Sequence, residues 1–279
     1  MTASADPSPS RVAPPPEWSA SDLAANPHAH ADKPAKVRGM FAAIAPSYDL
    51  NNRLHSFGRD QAWRRAAVRA AALKPTDDVL DAACGTGDLS RAFADAGART
   101  VTGLDFTREM LAIAETKQRA LLAARQASSA RSAPPPRTIT YLQGDALALP
   151  FPATSFDIVS IAFGIRNVAD PRAAAAEFLR VLRPGGRLVI LEFDTPAFAP
   201  IRWASAFYTN AIMPRTATLI SGDRSGAYRY LPKSVSTFLA RKALAQMLRD
   251  VGFEAIAQRP LTFGVCVCTT GEKPRATNP

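Results

Sequence analysis

Residues 78–90 read DVLDAACGTGDLS, and the order of residue types within them decides the fold. A short apolar run ends at Asp81 to Ala83, and Gly85-Thr86-Gly87 then opens a segment of helical composition. A strand that turns through glycines into a helix lets a ligand approach bare backbone, with no Cβ in the way. Four further runs of strand character follow: TVTGLD (100–105), TITYLQ (138–143), FDIVSI (156–161) and GRLVILEF (186–193). Ala-rich helical stretches separate them. This alternation predicts an α/β fold, a parallel sheet covered by helices on both faces. FEAIAQRP (253–260) and TFGVCVCTT (262–270) are two more strand-like runs with a short turn between them. They predict an antiparallel hairpin that closes the sheet.

The glycine turn lacks the third glycine of a dinucleotide fingerprint, because Ser90 stands at that place. A pyrophosphate therefore has less claim on this loop than a nucleoside. Asp105 ends the second strand, where an acidic residue accepts both hydroxyls of a ribose; the competing reading is an N-cap for a helix over 107–120. Asp145-Ala146 follow the third strand, with the Asp placed to receive an adenine amino group. Pro150-Phe151-Pro152 then makes a rigid turn. Arg183-Pro184-Gly185-Gly186 has the composition of a helix stop and is read as structural.

Composition narrows the chemistry. The chain has 279 residues and only three histidines, His28, His30 and His55. A Ser-His-Asp hydrolase or a His-ligated zinc enzyme would rest on His55 alone, so neither is expected, and no metal site is expected. Three cysteines fit a reducing cytoplasm, and Cys266 and Cys268 share one strand face as packing residues. No window holds 18 consecutive apolar residues, and the start, MTASADPSPSRVAPPPEW, lacks the order of a secretory signal. A cytoplasmic location is expected.

The net charge is +10. In residues 1–35, Arg11 and Lys33 against Asp6, Glu17, Asp22 and Asp32 give −2, which leaves +12 on the body. No basic block interleaved with aromatics accompanies that charge, so nucleic acid is not an expected partner. Residues 1–35 read as a disordered extension, 122–137 (LAARQASSARSAPPPR) as a low-complexity insertion, and 274–279 as a tail.

Together, DAACGTGD, LD, GDALALPF, FD and RVLRPGG resemble the class I S-adenosylmethionine-dependent methyltransferases, over roughly residues 75–270. The flanks resemble a narrower group. MFAAIAPSYDLNNRLHSFGRDQAWRR (40–65), IAFGIRNVADP (161–171), LEFDTP (191–196), YRYLPKSVSTF (228–238) and MLRDVGFE (247–254) are similar to the ubiquinone/menaquinone-biosynthesis C-methyltransferase family, from about residue 36 to 273. The resemblance implies a Rossmann-like sheet of seven strands. It also implies S-adenosyl-L-methionine held by Gly85, Thr86, Gly87, Asp105, Asp145 and Ala146. Two positions depart from the family pattern: Ala162 stands where many relatives have Ser, and Cys268-Thr269-Thr270-Gly271 occupies the place of a His-Gly pair.

The implied reaction is methylation of a ring carbon of a prenylated quinol. Demethylmenaquinol and 2-methoxy-6-polyprenyl-1,4-benzoquinol are the two acceptors, and another lipophilic phenolic or sterol-like molecule is the alternative. Loss of a hydroxyl proton makes the ring carbon nucleophilic. Arg166 is the expected stabilising charge and Asn167 the hydrogen-bonding partner of the oxygen, with an ordered water, His55 or Asp49 as proton acceptor. Residues 195–235 are expected to form a substrate lid, and the apolar stretch 201–220 to offer peripheral contact with a membrane. The sequence carries no signal of oligomeric state.

Overall fold

The computed structural model describes residues 18–127, 137–223 and 225–275. Its centre is β1 (Asp78–Ala82), buried along its whole length. On one side it pairs in parallel with β2 (Thr100–Asp105), which pairs with β3 (Ile139–Gln143). On the other it pairs with β4 (Phe156–Ala162), which pairs with β5 (Leu182–Phe193). The antiparallel hairpin is present, with β6 (Glu254–Leu261) followed by β7 (Cys266–Glu272). It is β7 that pairs with β5, so the seven strands run β3-β2-β1-β4-β5-β7-β6. The order reverses between β1 and β4. In a doubly wound sheet, that switch point leaves a crevice beyond the carboxyl ends of the strands.

Side chains alternate across this sheet, as strand geometry requires. Val79, Val101, Ile158 and Val189 point to one face, where Cys266 and Cys268 also pack. Helices α3 (Arg59–Ala70) and α4 (Asp88–Asp95) cover it through Trp63, Ala67, Leu89 and Phe93. Leu80, Val159, Leu188 and Ile190 point to the other face, under Phe178 of α6 (Pro171–Val181) and Leu244 and Leu248 of α10 (Arg241–Val251). Between β2 and β3 runs α5 (Arg108–Ala127). Residues 128–136 of the expected insertion and 276–279 of the tail lie outside the described residues.

A third apolar cluster involves no strand. It joins Val37, Met40 and Ile44 of α2 (Lys33–His55) to Met110, to Ala217 of α8 (Met213–Ser221), and to Tyr228 and Tyr230 of α9 (Ala227–Thr237). Before α8 come α7 (Ala199–Phe207) and a π-helical turn over Tyr208–Ile212, neither of which buries a residue.

Residues 18–35 are ordered, which corrects the expectation of a disordered extension over 1–35; residues 1–17 lie outside the described residues. Trp18 is fully buried, stacks on Tyr230 at 4.5 Å between ring centres, and donates its backbone N–H to Ser225 O at 2.9 Å. Ser19 and Asp22 form a reciprocal capping box on α1 (Ala20–Ala24), satisfying the donors that a helix start leaves open. Pro-rich composition reports only that the segment builds no core of its own. Its one large aromatic instead completes a core that includes Tyr228 and Tyr230, about 200 positions away, which fixes the chain around it.

Candidate active site

The cleft lies at the switch point, lined by the ends of β1, β2, β3 and β4 and closed by α2. Its floor is the loop after β1. Gly85 and Gly87 hold positive φ angles of 55° and 80°, a region that glycine enters without Cβ strain. A Cβ at Gly87 would fall 2.3 Å from Tyr141 Oη. On the facing loop, a Cβ at Gly164 would fall 2.8 Å from that of Ala83, so the turns after β1 and β4 touch.

Asp105 is buried and fastens this floor. Its Oδ2 accepts the Gly85 N–H at 2.7 Å and its Oδ1 the Thr107 N–H at 2.8 Å. Burial pushes its carboxyl above the usual range, and the backbone N–H bonds oppose that rise. The Thr107 side chain and the Phe106 backbone also act on this carboxylate to favour its charged form. Asp145 is exposed at the rim, with Oδ1 accepting Leu147 N–H at 2.9 Å, and Ala146 is buried beside it. Val37, Phe41, Leu104, Met110 and Leu147 supply apolar walls between the two carboxylates. Gly85, Asp105, Asp145 and Ala146 thus come together on one cleft.

Thr86 and Gly87 stand differently. The Thr86 hydroxyl donates to Asp49 Oδ1 at 2.6 Å, and Lys117 Nζ reaches the other Asp49 oxygen at 2.8 Å. Thr86 therefore ties α2 to the loop, and Gly87 starts α4 against Tyr141. Asp49 is committed to that tie. His55 hydrogen-bonds Asn51 O and Thr216 Oγ1, linking α2 to α8, and does not line the cleft.

Arg166 also departs from expectation. It is 5% exposed and forms a buried ion pair with Glu192, Nη1 to Oε1 at 2.6 Å. Nη1 also donates to Phe163 O at 2.8 Å, and Nε to Ser234 Oγ at 3.3 Å. Its charge is thereby largely neutralised behind the cleft rather than presented to it. Burial raises the Glu192 carboxyl, and the Arg166 charge works against that rise. Asn167 does line the cleft, but its amide is held at both ends: Nδ2 donates to Phe163 O at 3.0 Å, and Oδ1 accepts from Tyr230 Oη at 3.0 Å.

Lys33 and Glu192, which the motifs did not single out, complete this wall together with Tyr48. Lys33 is buried and donates to Arg166 O at 3.0 Å and Val168 O at 2.6 Å; burial, with the Arg166 charge, pushes its ammonium down to about 8. Tyr48 lines the cleft, and burial raises its phenol. Glu192 was legible only as part of LEFDTP, and nothing in the sequence joins it to Arg166. Deeper behind the glycine loop, a smaller polar recess is lined by Tyr48, Arg64, Asp81, Thr86 and Asp88. Burial lifts the Asp81 carboxyl to about 6, while hydroxyls of Ser90 at 2.6 Å and Ser160 at 2.9 Å hold it.

Comparison with known proteins shows the family of the chain. Residues 29–273 match the ubiE/COQ5 methyltransferase family. The chain is similar to a demethylmenaquinone methyltransferase of Thermus thermophilus, 45% identical over 84% of this chain and 100% of the relative. A demethylmenaquinone methyltransferase of Deinococcus radiodurans is 43% identical over 87% and 94%. A ubiquinone/menaquinone biosynthesis C-methyltransferase of Geobacter sulfurreducens is 40% identical over 87% and 90%. Among solved structures, an S-adenosylmethionine-dependent methyltransferase of Thermotoga maritima aligns with a TM-score of 0.57 at 18% identity, covering 85% of this chain and 99% of that one. That likeness is one of fold.

Removing one partner of a buried ion pair leaves the other charge uncompensated, at about 3–5 kcal/mol. Arg166→Ala is expected to lower unfolding free energy by that amount in a urea titration. The double variant Arg166→Met, Glu192→Met is expected to recover most of it. Wild-type stability in Arg166→Ala would remove the ion pair from this account.

Proposed function

The chain belongs to the ubiE/COQ5 methyltransferase family, and from that premise we propose that it methylates a ring carbon of demethylmenaquinol with S-adenosylmethionine as donor. The observation that carries the reading is the cleft between Asp105 and Asp145. A carboxylate at the end of the second strand, lining the cleft, suits a ribose diol. The second oxygen of the Asp145 carboxylate suits an exocyclic amine, and the apolar walls between them suit a purine. The residues present thus fit the donor. Relatives named for demethylmenaquinone at 45% and 43% identity favour that acceptor over the benzoquinol.

When bound, the donor supplies a methyl group on a positively charged sulfur. The residues of the chain position the acceptor and handle its proton. Asn167, locked by Phe163 O and Tyr230 Oη, offers its remaining amide N–H at a fixed place on the wall. A donor held in that way is preorganised for an oxygen that gains charge. Arg166 is a positioning residue, holding the 163–167 turn against β5 through Glu192. The titratable residues that line the cleft are Tyr48, Asp105 and Asp145. Both carboxylates serve the donor in this reading, so the hydroxyl proton leaves to water at the cleft mouth as the ring carbon takes the methyl and the sulfur–methyl bond breaks. Loss of the ring-carbon proton and return of a proton to the oxygen, again through water, restore the quinol.

The prenyl tail draws the protein to a bilayer. Among the described residues, no helix is long and apolar enough to cross a membrane. Phe198, Trp203, Phe207 and Leu219 are nonetheless exposed, Trp203 by 74%, on and beside helices that bury almost nothing. The stretch 195–222 carries Arg202 and Arg215 and no acidic residue. Such a surface suits peripheral contact with anionic lipid headgroups, and residues 195–235 serve as the lid beside it.

Labelled methyl transfer tests the activity, with reduced demethylmenaquinone and reduced 2-methoxy-6-prenyl-benzoquinone offered side by side. Label is expected in the first. Label in neither, with donor still bound, would discard the quinol acceptor. In sedimentation with anionic phospholipid vesicles, Trp203→Ser with Phe207→Ser is expected to lower the bound fraction several-fold, because two exposed aromatics that the membrane would bury are removed. Equal sedimentation of variant and wild type would remove this face from membrane contact.

A further inference from the structure

The family match begins at residue 29, so Trp18 lies ahead of it. The segment from Trp18 to Lys33 nevertheless reaches the turn after β4 by three routes. The Trp18 ring stacks on Tyr230 at 4.5 Å, with 26° between the planes, and Tyr230 Oη donates to Asn167 Oδ1 at 3.0 Å. His28 Nε2 hydrogen-bonds Ser234 O at 2.9 Å, and Ser234 Oγ accepts from Arg166 Nε at 3.3 Å. Lys33 Nζ donates to the carbonyls of Arg166 and Val168. All three routes end within residues 166–168. The contacts that hold Gly85, Asp105 and Asp145 run instead within the turns after β1, β2 and β3.

Trp18 is itself firmly held. A Cβ at Gly226 would fall 2.8 Å from Trp18 O, so the start of α9 is fitted closely to this residue. The Lys36 ammonium lies 5.5 Å from the centre of the Trp18 ring, and Asp22 takes that ammonium at 2.9 Å and His30 Nε2 at 3.1 Å. The indole Nε1–H has no hydrogen-bond partner among the described residues, so the ring acts on Tyr230 by stacking alone. Stacking fixes the tilt of a ring, and the tilt of Tyr230 decides where its hydroxyl stands. The terminal torsion of an asparagine is broad and holds no orientation by itself. The Asn167 amide plane is therefore set by its two hydrogen bonds, one to Phe163 O and one from Tyr230 Oη.

We infer that Trp18 is a positioning residue for methyl transfer: through the Tyr230 ring it sets the amide plane of Asn167, and with it the N–H aimed at the acceptor oxygen. This rests on the quinol-methylation reading and on the part of Asn167 in it. Loss of Trp18 then impairs the acceptor side and leaves donor binding intact.

Steady-state methyl transfer to reduced demethylmenaquinone, with calorimetry of S-adenosylhomocysteine, tests the inference. Trp18→Ala is expected to lower kcat about 3- to 10-fold, the range for one hydrogen bond, with S-adenosylhomocysteine affinity changed less than about twofold. Trp18→Phe keeps a stacking ring and is expected to recover most of the loss. Tyr230→Phe keeps the stack and drops the hydroxyl, and is expected to match Trp18→Ala. The double variant is expected to be no slower than either single one, because both changes act on the same amide. In hydrogen exchange read by mass spectrometry, residues 163–168 of Trp18→Ala are expected to exchange faster, with 81–90 unchanged. Wild-type kcat in either single variant, additive losses in the double variant, or weakened S-adenosylhomocysteine binding in step with kcat would overturn the inference. Wild-type protein that binds S-adenosylhomocysteine and transfers no methyl would overturn the quinol reading instead.

Discussion

The carboxylate of Asp105 joins the turns that follow two neighbouring strands and sets the floor of the cleft. By accepting the N–H groups of Gly85 and Thr107 it ties the turn after β1 to the turn after β2. A backbone bond from Cys84 N–H to Leu104 O runs alongside. Burial works against its charge, so the two N–H bonds are what make a carboxylate tolerable at that position. The shape of the cleft floor depends on this tie, and so does the placing of α4 and α5 that start beyond it. The helical layer then closes over a floor already set, through Thr86 to Asp49 and Lys117 to Asp49 and Asp88.

The opposite wall is built by different means. The turn after β4 is held from below by Glu192 and from the N-terminal side by Lys33, whose ammonium binds the carbonyls of Arg166 and Val168. Trp18 stacks on Tyr230, and Tyr230 in turn fixes Asn167. His28 donates to Ser234 O, and Ser234 Oγ receives Arg166. In the proposed reading, the α/β sheet carries the donor half of the site, and the first helices with residues 195–235 carry the acceptor half. Polar contacts of this kind, each with a partner on a distant element, fix a single arrangement better than apolar packing alone.

The parts of this arrangement that were legible in the sequence are those whose causes are local. Continuous apolar runs bounded by turns mark strands buried on both faces, and Gly85, Asp105 and Asp145 sit where strands end, so their positions follow from the strands. Arg166 shows the limit. Its neighbours in sequence suggest a charge facing substrate, but its partner Glu192 lies 26 residues on, at the end of the next strand. Only the pairing of β4 with β5 brings the two together. Trp18 shows the same limit in an Ala- and Pro-rich segment, because the core it completes draws on α2, α5, α8 and α9, brought together only by the fold.

The central claim is that Asp105 is both the tie that shapes the cleft and the acceptor for the donor's ribose. Titration of S-adenosylhomocysteine into wild-type protein and Asp105→Ala by calorimetry tests it most directly, with circular dichroism reporting the fold. Loss of a charged acceptor is worth about 1.5–3 kcal/mol, so the variant should bind about 10- to 100-fold more weakly. A folded Asp105→Ala protein with wild-type affinity would contradict the account.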